Sequence, residues 1–178
     1  RYETLYIMLL IFASGLFLAG ALLDTPDNIA RGLIRIVMTE DPLITDYVRL
    51  AGVGAALINS SVVTALSVLI LRSSGEPANG FTLVVVGLMA GFSLFGKNPV
   101  ITWPIVLGTW LYAKSRKEPF GKYAAVALLS SALGPVISYI ILDNGWGTPV
   151  LGVATGLMIG FVMPSLSAYT YKIQNGMN

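Results

Sequence analysis

Four stretches of this chain, Leu5–Leu23, Val48–Leu71, Tyr123–Leu142 and Thr148–Tyr171, are almost uncharged and apolar. Each reaches about the 20-residue length that a membrane-spanning helix needs. Inside hydrocarbon no water is present to bond a free N–H or C=O, so runs of this kind fold as helices. The expected fold class is therefore all-α, a polytopic membrane helix bundle. Composition agrees: 55% of residues are hydrophobic, 11% are charged, and the mean hydropathy is +0.76.

The same composition excludes several kinds of function. A formal net charge of +2 is too small and too evenly spread for nucleic-acid binding. With no cysteine there are no disulfides, thiol nucleophiles or thiolate metal sites. With no histidine there is no imidazole ligand and no histidine general base. Neither a metal, a cofactor nor a catalytic residue is expected. Residues 1–178 read as a single membrane domain, expected to be part of a longer chain because it opens at Arg1. The first apolar run is too long for a signal-peptide core and reads as a true span.

Between the spans, Thr25-Pro26-Asp27-Asn28 carries a capping threonine followed by a proline at the first helical position. Ile29, Leu33, Ile36 and Val37 then recur at helical spacing, with Arg31 and Arg35 on another face. This predicts a short amphipathic helix lying on the membrane surface or against a partner subunit. Asp41 and Pro42 repeat the start signal, and one helix is expected from there through Arg72. Gly15, Ala19 and Gly20 in the first span, and Gly152, Gly156 and Gly160 in the last, offer small faces for close helix packing.

Gly80 to Lys114 behaves differently. Two apolar arms flank a polar break at Gly96, Lys97, Asn98 and Pro99. Each arm, at roughly 16 residues, reaches about 24 Å, short of a ~30 Å hydrocarbon core. The arms predict a re-entrant helical hairpin, or two complete short spans. Charge supports a return to the starting side, because Lys114, Arg116, Lys117 and Lys122 against Glu118 make the densest cationic loop, 114–122, which is expected to be cytoplasmic. Asp143 to Trp146 would form an external turn, and Lys172 would return the last span to the cytoplasm.

The chain also repeats itself. VGLMAGF at Val86–Phe92 returns as TGLMIGF at Thr155–Phe161, and the upstream segments Ala55–Leu71 and Ala125–Leu142 align at their paired serines. On the expected topology the candidate repeats, 47–99 and 119–165, are inverted, the pattern of transporters whose sites lie at broken helices near the midplane. The candidate substrate-binding residues are Lys97, Asn98, Ser93, Gly96, Asn59, Ser60, Ser61 and Thr64 from one half. Ser130, Ser131, Pro164 and Ser165 come from the other, where the last span is expected to break at Met163, Pro164 and Ser165. A lysine beside the amino end of a half-helix favours an anionic or carbonyl-bearing solute. Bland alternatives stand beside each: hydroxyls in membrane helices commonly bond their own backbone, and a lysine at a tip can snorkel to headgroups.

In GKNPVITWPIVLGTWLYAK, the following KEPF, and GLM-x-GF, the chain resembles an uncharacterised family of bacterial multi-pass membrane proteins, a domain of unknown function sometimes present in more than one copy. The resemblance covers most of the chain and is clearest from Gly87 to Phe120. It implies a bacterial inner-membrane protein and supplies no substrate. The Asn98-Pro99 step is also similar to urea-transporter repeats, but the fuller motif is missing and no function carries over. The expected function is a transporter or channel-like protein for a small polar or anionic solute. Its expected partners are the lipid bilayer, the solute, and a second copy of the unit or a homo-oligomer. The competing reading is a non-catalytic scaffold or accessory subunit. An intramembrane enzyme is a poorer fit, since no spacing fixes a serine–lysine pair.

Overall fold

The computed structural model describes residues 2–39, 45–142 and 148–175, and among them every regular element is helical. Helix α1 (Tyr2–Leu23) lies antiparallel to α4 (Val53–Ser73). Ser61 Oγ donates to Ala13 O at 2.7 Å, and Arg72 pairs with Glu3 at 2.9 Å. Gly20 presses on the Gly54 backbone, whereas Gly15 meets nothing, so the small face of α1 is narrower than expected. Among the described residues four helical stretches are long and apolar enough to cross a membrane: Glu3–Leu23, Val53–Ser73, Gly121–Leu142 and Pro149–Ile173.

Between α1 and α4 stand two short helices. In α2 (Pro26–Met38), Thr25 accepts from Asn28 N and Pro26 opens the helix, as expected from the sequence. Its Ile29 and Ile36 are buried and Gly32 seats on Ala51 and Ala55, but Val37 is exposed. The single helix expected from Asp41 through Arg72 is instead two, α3 (Tyr47–Ala51) and α4. Gly52 adopts φ 89°, a left-handed conformation that interrupts the helix. Asp46 caps α3 through Arg49 N; Asp41 and Pro42 lie outside the described residues, as does the expected turn at Asp143–Trp146.

Helix α5 (Gly80–Phe92) starts with a reciprocal cap between Asn79 and Thr82 and runs antiparallel to α4. After the break, Asn98 caps α6 (Pro99–Ser115) by accepting from Val100 N and Ile101 N, with Pro99 at the first position. The two arms scarcely touch each other; α7 (Gly121–Ser130) packs against both. A 3-10 turn at Ser131–Leu133 joins α7 to α8 (Gly134–Leu142), interrupting the span just before Gly134-Pro135. The arms therefore splay around a third helix.

Helix α9 (Pro149–Asn175) runs antiparallel to α8 and parallel to α6, with Gly152 on Ile141, Gly156 on Ile137 and Pro104, and Gly160 on Ile105. The break expected at Met163–Ser165 does not occur: the helix continues through Pro164. Proline lacks the N–H that would bond the carbonyl four residues back, which is Gly160 O. Thr109 of α6 supplies the missing donor at 2.8 Å, so the interhelical bond replaces the lost helical one.

Candidate functional site

The break at 93–98 sits beside Asn59, about 9 Å along α4 from its amino end. On the opposite flank Ile101 packs at Gly134, beyond which α8 continues for about 12 Å. Breaking a helix here strands backbone carbonyls, and the sequence provides for them locally. Asn59 Nδ2 donates to Ser93 O at 2.7 Å and to Lys97 O at 2.9 Å. Ser60 Oγ donates to Ala90 O at 2.8 Å, and Ser93 Oγ donates to both Met89 O and Ala90 O. Gly96 holds φ 107°, a turn that a side chain would strain.

Above the break, Tyr47 N donates to Leu94 O at 3.1 Å, and Asn98 Nδ2 donates to the Tyr47 hydroxyl at 3.4 Å. Tyr47 is fully buried with Ile36, Ala51, Ala55 and Ala56, so α2 and α3 cover the tip. Lys97 itself is 1% exposed. Its Nζ lies 3.0 Å from Met89 Sδ, 3.4 Å from Leu128 O and 5.3 Å from the centre of the Phe92 ring. The ion pairs among the described residues join Arg31 to Asp27, Arg72 to Glu3 and Lys122 to Glu118; none reaches Lys97. An ammonium carries three donors, and here they face a thioether, one long carbonyl contact and an aromatic face. A cation buried among neutral groups would be costly, so among the described residues Lys97 Nζ is the group in this core with most to gain from an anionic or carbonyl oxygen.

The structure thus gathers Asn59, Ser60, Ser93, Gly96, Lys97 and Asn98, and adds Ser131, whose Oγ donates to Leu128 O at 2.5 Å and lies 3.9 Å from Met89 Sδ. Ser130 is buried at the end of α7. Ser61 faces α1, and Thr64 Oγ1 donates to Ser60 O within its own helix. Pro164 and Ser165 are not brought to the break; Pro164 is buried and Ser165, exposed, donates to the Tyr112 hydroxyl at 3.0 Å. Sequence reasoning missed Tyr47, Met89, Phe92 and Leu128. Met89 and Phe92 sit in the first GLM-x-GF copy, which signalled them, while nothing in the sequence singles out Tyr47 or the carbonyl of Leu128. Among the described residues no group of three or more acidic side chains gathers that would hold a metal ion.

At the opposite end, Lys114 lies over the Trp110 ring at 4.9 Å, and Lys122 pairs with Glu118 at 3.0 Å. The Tyr123 hydroxyl, then Lys122, donate to Glu118 and hold its carboxyl below the usual carboxylate range.

Four apolar helical stretches of spanning length among the described residues define a polytopic α-helical membrane protein. More particularly, the chain belongs to the family described as protein of unknown function DUF1576, which matches residues 25–178. No curated protein and no solved structure matches it.

Proposed function

We propose that the chain is a transporter or channel-like protein for a small polar or anionic solute, with the solute bound at the Lys97 break near the middle of a bacterial inner membrane. The observation that carries this reading is Lys97, whose buried Nζ, among the described residues, meets Met89 Sδ, Leu128 O and the Phe92 face. A cation kept at such a cost in a membrane core marks a functional site. Gly80 to Lys114 is a re-entrant hairpin in this reading, supported by α4 and α8 extending about 9 and 12 Å past its tip. Loop 114–122 is then cytoplasmic.

The candidate repeats, 47–99 and 119–165, fit the same reading. Their spans, α4 and α7–α8, run in opposite directions, and one serine of each pair meets α5, Ser60 at Ala90 and Ser131 at Met89. The copies have since diverged in use: Met89 is buried, whereas Met158 is 69% exposed. A second reading, a membrane scaffold, draws on the internal bonding of Asn59, Ser60 and Ser93, which leaves the break able to stand without a solute. The two separate by flux. In reconstituted vesicles a panel of small organic and inorganic anions is expected to show saturable uptake that Lys97→Met abolishes. Uptake untouched by that change removes the assigned site, and no flux of any solute together with a stable hetero-complex favours the scaffold.

A further inference from the structure

Between α4 and α6 a groove of about 500 Å³ opens sideways. Leu66 and Ile70 line one wall and Trp103, Leu107 and Trp110 the other, with Phe120 at one end. It runs along α6 from Pro99, at the level of the break, to Trp110, a length of about 17 Å. That is close to one leaflet of the hydrocarbon core, about 15 Å. The end that reaches the surface is the cationic one: Lys114 stands over Trp110, and Lys114, Arg116 and Lys117 make no ion pair among the described residues. Only Lys122 is neutralised, by Glu118.

From the leaflet-length apolar wall and the cations at its mouth we infer that this groove seats one acyl chain of an anionic phospholipid, its headgroup held by Lys114 and Arg116. The apolar lining confers no headgroup preference, since every phospholipid has the same tails. The preference resides in the loop, where each basic residue near the surface adds roughly a fivefold gain for an anionic headgroup at physiological salt. This inference concerns a lipid site distinct from Lys97 and stands whether or not the protein carries a solute.

The chain contains three tryptophans, of which Trp103 and Trp110 line the groove. With Trp146→Phe as background, the full chain is reconstituted into phosphatidylcholine vesicles holding a minor fraction of either brominated phosphatidylglycerol or brominated phosphatidylcholine, and tryptophan quenching is compared. Quenching is expected to favour the anionic lipid, and Lys114→Gln with Arg116→Gln is expected to weaken that preference roughly 30-fold. Leu66→Trp, which fills the groove from an exposed position, is expected to displace the lipid, read by native mass spectrometry as loss of a retained phosphatidylglycerol. Equal quenching by the two brominated lipids overturns the inference. So does a groove closed by a second copy of the chain, seen as a lipid-free dimer that Leu66→Trp splits.

Discussion

Gly160→Ala tests the packing of α6 on α9 at its closest point. A Cβ at Gly160 would lie 1.9 Å from Ile105 O, 2.8 Å from Ile105 C and 2.9 Å from Thr109 N. All three are backbone atoms, so no rotamer change relieves the overlap, and the helices must part by about an ångström or more. Overpacking of this kind costs about 1–3 kcal/mol. Parting the helices also stretches the 2.8 Å bond from Thr109 Oγ1 to Gly160 O, an interhelical bond worth roughly 0.6–1.7 kcal/mol in a membrane protein. Because Pro164 cannot donate to that carbonyl, its loss leaves Gly160 O unpaired. Less up to about 1 kcal/mol regained in helix propensity, the expected destabilisation is about 1–4 kcal/mol. Gly91 is the matching glycine in the first GLM-x-GF copy, and a Cβ there meets nothing within 4 Å. Gly91→Ala is expected to be neutral or to stabilise by up to about 1 kcal/mol through helix propensity. Both variants are compared by reversible unfolding in mixed detergent–SDS micelles, followed by circular dichroism. If the two alanines shift stability alike, to within about 0.5 kcal/mol, the close contact of α6 and α9 is wrong.

Three other perturbations address the break. Asn59→Leu removes both donors from Ser93 O and Lys97 O, and in the same unfolding assay is expected to cost about 1–3 kcal/mol, whereas Ser14→Ala, an exposed hydroxyl bonded within α1, should change little. Gly96→Ala imposes a side chain at φ 107° and is expected to cost about 1–2 kcal/mol without altering the far end of the bundle, as read by Tyr112 and Tyr123 near-ultraviolet signals. In this cysteine-free chain, Lys97→Cys is expected to react with an impermeant maleimide far more slowly than Lys117→Cys in opened vesicles, since Lys97 is 1% exposed and Lys117 is exposed. Rapid labelling at 97 from outside makes the tip an external loop.

The membrane class and most helix ends were legible in the sequence because they rest on local rules. Uncharged runs of spanning length, Thr25-Pro26 and Asn98-Pro99 each specify their own outcome within a few residues. The failures share one cause, a partner distant in sequence. Pro164 reads as a break until Thr109 is seen to supply its missing bond. Gly52 reads as a tolerated helix residue until α3 turns away so that Tyr47 can reach Leu94. In the site, the polar residues around the break were legible as a group because unpaired polar side chains are rare in spans. Their roles were not, since whether Ser61 faces α1 or Ser60 faces α5 depends on helix rotation that sequence leaves open.

The hydrogen bonds change what the break signifies. A helix interrupted in a membrane ordinarily draws attention through exposed backbone groups, which a solute or ion then satisfies. Here Asn59, Ser60 and the capping side chain of Asn98 already satisfy the groups nearest the interruption. Among the described residues the capacity left over is concentrated on Nζ of Lys97, which faces a sulfur, a distant carbonyl and a ring. Solute recognition at this site would therefore rest on charge and not on backbone coordination. It follows that Lys97→Arg, which keeps the charge but enlarges and flattens the donor, should alter which anion is preferred, while Lys97→Met, near in shape and uncharged, should leave a folded protein that has lost anion recognition altogether. A protein that keeps the same anion preference in both variants would separate the lysine from the function and return the break to a purely architectural role.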